Sequence, residues 1–119
     1  MKYMLLIYLD EHNPLSETER QDCYAESTQL ARELHSNGKY LGANPLQPSA
    51  MATSVRVRNG KRLVTDGPFA ETREQLGGYF LIDVKDLDAA LGIAARIPMA
   101  RKGTVEVRPV IEIPGLPID

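Results

Sequence analysis

The chain has 119 residues, 43% of them apolar and 25% charged, with a formal net charge of −2. That length suits one domain, residues 1–119, with its own core, since chains of this size bury roughly two-thirds of their unfolded surface. The near-balanced charge offers no pull toward nucleic acid or an anionic membrane, no stretch is long enough to span a bilayer, and one cysteine, Cys23, excludes an internal disulfide.

A cytoplasmic protein is expected, with nucleic acid not a partner. Tyr3 to Leu9 reads as a strand. Tyr3, Leu5, Ile7 and Leu9 would face one way and Met4, Leu6 and Tyr8 the other, so both faces call for burial. The run is too short for a signal peptide and meets acids where a cleavage site would stand. Ser16 to about Asn37 reads as a helix. Ser16 and Glu19 make a capping box, Cys23, Tyr24, Ser27, Leu30, Ala31 and Leu34 form its stripe, and Gly38 closes it. Tyr40 to Pro48 predicts a short strand whose prolines keep it from a central position.

Thr53 to Thr65 predicts a hairpin around Asn59-Gly60. A three-residue loop, Asn59-Gly60-Lys61, sets Val57 opposite Leu63 and Arg58 opposite Arg62; a two-residue loop sets Val57 opposite Arg62. The first keeps one face apolar and is the expected register. Asp66-Gly67-Pro68-Phe69 is a turn, Ala70 to Gln75 one turn of helix, and Tyr79 to Val84 a strand apolar at nearly every position. Asp86 caps a second helix with the stripe Leu87, Ala90, Leu91, Ala94 and Ile97, ended by Pro98. Thr104 to Ile113 is the last strand, with Val105, Val107, Pro109, Ile111 and Ile113 on one side and Thr104, Glu106, Arg108 and Glu112 mostly on the other.

This order predicts an α+β fold: a ferredoxin-like split βαβ antiparallel sheet with two helices on one face and an inserted hairpin. Two helices cover only one face of such a sheet. The strands at Tyr3–Leu9 and Tyr79–Val84 are apolar on both, so two copies are expected to pack these faces together as a homodimeric α/β barrel.

The segment from Leu63 to Glu74, with Asp66-Gly67-Pro68-Phe69 at its centre, resembles the signature of the DGPF branch of the YCII-related family. Its usual flanks have counterparts in Met1 to Tyr8, Leu76 to Val84 and Gly103 to Pro109. The resemblance covers nearly the whole chain. It implies the dimeric α+β barrel and no settled activity, and members of the branch often occur beside extracytoplasmic-function sigma factors. Related YCII proteins suggest a His–Asp pair with its histidine on the first helix. Near that place this chain has Ser27 and Thr28, which argues against that chemistry here.

Asp66 is the leading catalytic candidate, because a carboxyl on a rigid turn at a barrel mouth gains acid–base character from partial burial. Glu71 would tune it. Glu74, three residues on, would complete a carboxylate cluster. Gly67, Pro68, Phe69, Glu74, Tyr79 and Arg108 are the candidate ligand-binding residues, with Tyr8 as a second aromatic lining. Arg108 would bind a carboxylate or pair with Asp66 or Glu71. Against these stand plainer readings: Asp66 as a turn cap, Phe69 as core, the glutamates as solvated charge. His12 lacks a second histidine at ligand spacing, His35 favours the helix dipole, and no metal or other cofactor is expected. Arg56, Arg58, Lys61 and Arg62 read as charges that guard a sheet edge.

Two functions follow. One is a small-molecule site in a dimeric barrel, with cofactor-independent acid–base chemistry. The other is a regulatory interaction module associated with a sigma factor, for which the basic hairpin or the acidic loop would be the contact surface.

Overall fold

A computed structural model describes residues 1–117. In chain order the elements are β1 (Lys2–Leu9), α1 (Glu17–Ser36), β2 (Tyr40–Pro45), β3 (Thr53–Arg58), β4 (Lys61–Asp66), β5 (Gln75–Asp83), α2 (Leu87–Ala94) and β6 (Thr104–Pro109). The main sheet runs β2–β5–β1–β6 with every neighbouring pair antiparallel, and β3 and β4 form a separate two-stranded sheet. This is the α+β split βαβ arrangement, in which β5 separates β1 from β2.

Alternation in β1 decides which face becomes core. Tyr3 and Leu5 lie opposite Ile82 and Phe80 of β5, while Val107 lies opposite Leu5 from the other side. Leu30 and Leu34 of α1, and Ala90, Ile93 and Ala94 of α2, close over this same face. Leu5 and Ile82 have no solvent exposure, and burying side chains of that size stabilises by roughly 1.5–3 kcal/mol each.

Helix α1 starts as its sequence dictates. The Ser16 hydroxyl accepts from the Glu19 N–H and the Glu19 carboxylate accepts from the Ser16 N–H, each at 3.1 Å. Asp86 caps α2 by accepting from the Ala89 N–H at 2.9 Å. The α2 stripe differs from expectation. The helix ends at Ala94, because the residue before Pro98 avoids helical angles and Ile97 is extended (ψ 125°). Ile97 is still buried, but Ile93 joins the core where Leu87 and Leu91 were expected, and those two leucines are 49% and 47% exposed.

The hairpin corrects the expected register. Val57 pairs with Arg62 and Arg58 with Lys61, so the loop is the two residues Asn59-Gly60, with φ of 51° and 73°. Both left-handed positions suit the tight turn whose twist matches a hairpin. Apolar pairing did not set the register, because neither face of the hairpin is buried. The expected helical turn at Ala70–Gln75 is irregular chain running into β5. The last strand ends at Pro109, short of the expected Ile113; Val110 donates to the Lys2 carbonyl at 2.9 Å, and Ile111 and Ile113 are exposed. The radius of gyration, 16.1 Å, exceeds the roughly 13.5 Å of a compact chain this long, in keeping with a hairpin that stands off the sheet. Among the described residues, no helix is long and apolar enough to cross a membrane.

Candidate functional site

The second face of the sheet carries Met4, Leu6 and Tyr8 from β1, Tyr79 and Leu81 from β5, Asn44 from β2, and Glu106 and Arg108 from β6. Both helices pack on the other side. Met4, Leu6, Tyr8, Tyr79 and Leu81 are therefore only half-buried, shielded by their neighbours in the sheet.

Cross-strand register brings polar groups together at both margins of this apolar strip. The Tyr8 hydroxyl donates to Glu106 Oε1 at 3.3 Å. Asn44 Nδ2 donates to the Tyr79 hydroxyl at 2.9 Å. Partial burial, and then the charge and hydrogen bond of Glu106, push the Tyr8 phenol up from its usual range, while Arg108 pulls it back. Arg108 is exposed and makes no ion pair with a described residue. The face thus offers two tyrosines held by side-chain partners and one uncommitted guanidinium. That set suits an anionic group attached to an apolar body.

Glu106 and Asn44 were not among the expected site residues. Their signal was present in the alternation of β6 and β2. What the sequence hides is the pairing that carries Glu106 to Tyr8, 98 residues away, and Asn44 to Tyr79, 35 away.

The Asp66 turn lies elsewhere, at the base of the β3–β4 hairpin. Gly67 takes a φ of 96°, a left-handed backbone natural to glycine. Its N–H donates to the Ala52 carbonyl at 2.7 Å, and its carbonyl accepts from the Ser54 hydroxyl at 2.8 Å. Pro68 is half-buried. Asp66 and Glu71 are exposed, and Phe69 is 82% exposed, so it fills no core of its own chain. One chain therefore does not provide the enclosure that acid–base work at Asp66 calls for.

Glu74 turns toward the sheet end, where its Oε1 accepts from the Thr104 hydroxyl at 2.8 Å. Asp66, Glu71 and Glu74 do not converge; no group of three His, Cys, Asp or Glu among the described residues is placed to hold a metal ion. Neither Asp66 nor Glu71 pairs with Arg108; Arg73 pairs with Asp10 at 3.6 Å. At the same end Glu11 accepts from the Ser49 N–H at 2.9 Å and from the Ser49 hydroxyl, fastening the turn Ser49–Met51 to the exit of β1.

On the helix side, a shallow groove of about 470 Å³ is lined by Thr28, Ala31, Arg32, His35, Ser36 and Tyr40. His35 meets Tyr40 edge-on at 6.1 Å. None of the expected site residues reaches this groove.

Residues 1–114 match the family model of the YCII-related domain. An uncharacterised protein of Rhizobium meliloti (strain 1021) is 37% identical to this chain over 114 residues, covering 92% of each.

Proposed function

The chain belongs to the YCII-related family, and from that premise we propose that it works as a homodimer whose paired open sheet faces enclose a small-molecule site. The observation that carries this reading is the uncovered apolar face with its tethered tyrosines. Met4, Leu6 and Leu81 call for a partner, and Tyr8–Glu106, Tyr79–Asn44 and Arg108 give the enclosed space polar groups for orientation. Two such sheets closing on each other make the dimeric barrel.

In this reading the whole chain is one domain of the DGPF branch, and its signature loop lies at the rim. Asp66 and Glu71 act as acid or base only when the second copy encloses them. Gly67, Pro68, Phe69 and Glu74 shape the entrance. Tyr79 and Arg108 contact the ligand directly, with Arg108 taking its anionic end.

A thermal-shift screen of small carboxylates and phosphates tests this on wild type, Tyr8→Phe, Arg108→Gln and Asp66→Asn. A ligand at 100 times its dissociation constant stabilises by about 2.7 kcal/mol. Wild type is expected to shift, with the shift lost in Arg108→Gln and reduced in Tyr8→Phe. Loss in Asp66→Asn as well would bring the rim loop into the site. No shift with any compound, from a protein that sedimentation shows to be a dimer, would leave the barrel without a ligand.

One observation favours a second reading. Phe69 is 82% exposed between the carboxylates Asp66 and Glu71, a combination suited to a protein contact. Under that reading the loop docks on a regulatory partner of the sigma-factor kind, and Phe69→Ala abolishes capture of that partner without changing ligand shifts.

A further inference from the structure

We infer that the β3–β4 hairpin is an arm that docks on the body of a second copy of this chain, a step that rests on the dimer proposed above. The hairpin is two-sided. Strand alternation puts Val55, Val57 and Val64 on one face, with Val55 directly opposite Val64 and Arg62 opposite Val57 at its tip end, and puts Arg56, Arg58 and Lys61 on the other, with Leu63 opposite Arg56. The three valines are 56–63% exposed. Among the described residues no helix or third strand covers them. A lone two-stranded hairpin is marginal in water and needs a surface to pack against.

The charge distribution names that surface. Thr53–Asp66 carries the cations Arg56, Arg58, Lys61 and Arg62 against the single carboxylate Asp66, a net +3; the chain totals −2, so the rest holds −5. None of the four cations forms an ion pair among the described residues. A basic arm on an acidic body cannot satisfy itself when it stands off that body, but two copies satisfy each other. The body also offers apolar partners for the valines in its exposed tail residues Ile111, Ile113 and Leu116. A nucleic acid would neutralise the arm, yet it would leave the valines wet and would meet repulsion from the −5 body.

The test combines sedimentation equilibrium with hydrogen exchange of the full chain. Two variants are compared with wild type: Val55→Asp with Val64→Asp, and Arg56, Arg58, Lys61 and Arg62 all changed to Glu. Both are expected to keep the circular dichroism of the folded monomer, because the substituted side chains are exposed on their own chain, and to weaken dimerisation at least tenfold. The amides of Thr53–Asp66 are expected to exchange slowly above the wild-type dissociation constant and fast below it. A dimer of unchanged affinity in both variants, with arm amides equally fast at both concentrations, overturns the arm while leaving the dimer standing. Protection of the arm that appears only on adding a DNA or RNA oligonucleotide also overturns it. A wild type that stays monomeric overturns the dimer and the arm together.

Discussion

Glu19 shows how much one side chain settles locally. Its carboxylate accepts from Lys102 and from the Ser16 N–H, and these bonds hold it down at about 2, well below its ordinary value of 4.5. A carboxyl depressed by folding adds stability above its unfolded value and loses that stability as pH falls through the folded one. The wild-type melting temperature should therefore exceed that of Glu19→Gln near neutral pH, and the gap should close between about pH 4.5 and pH 2. Melting curves from pH 2 to 7 check this; a gap constant across that range would show that Glu19 contributes through its shape alone. Half of this arrangement was legible in the sequence, because the two members of a capping box stand only three positions apart. The other half, Lys102, lies 83 residues away and was not.

At the scale of elements, the approach of the chain to β6 is as tightly constrained as the core. Gly103 passes so close to β1 that a methyl group on it would overlap the Tyr8 carbonyl oxygen. Gly103→Ala must push two backbones apart, at a cost of about 1–3 kcal/mol. Urea denaturation measures it, and an unchanged midpoint would mean that the junction yields freely. The same shift would move the Tyr8 hydroxyl away from Glu106, so this variant should also lose ligand affinity if the proposed site is correct.

Elements were legible wherever a local chemical rule acted, as with the caps at Ser16 and Asp86. They were misread at two places where burial was assumed and did not occur. The hairpin register was inferred from an apolar face, yet Val57 and Leu63 are both exposed, and the Asn59-Gly60 turn decided the pairing. In the α2 stripe Ala90, Ala94 and Ile97 are buried as expected, while Leu87 and Leu91 are half exposed and Ile93 takes their place.

At the scale of the whole molecule, the split βαβ sheet followed from the order of strands and helices, and the bare face from β1 and β5, each apolar on both sides. The position of the candidate site did not follow. The carboxylates from Asp66 to Glu74 are close in sequence, and short separation suggested a cluster. In space they spread over a hairpin base and a sheet end, while the side chains that do meet come from four strands. If the bare face is closed by a second copy, stability must depend on concentration, since association draws the folded state forward. The melting temperature should rise on going from micromolar to hundred-micromolar protein, and calorimetry at the two concentrations checks it. A concentration-independent melt would argue for a monomer.

The central position of β1 has a consequence for how the protein is made. β1 ends at residue 9, while its two partners begin at residues 75 and 104. Ribosomes add roughly 5–20 residues per second, so β1 waits roughly 3–15 s in the cell before either neighbour exists to pair with it. During that interval a strand apolar on both faces has two unsatisfied edges, the condition under which nascent chains aggregate or recruit chaperones. Substitutions that polarise Met4 or Leu6 would therefore raise soluble yield during synthesis even as they weaken the finished assembly.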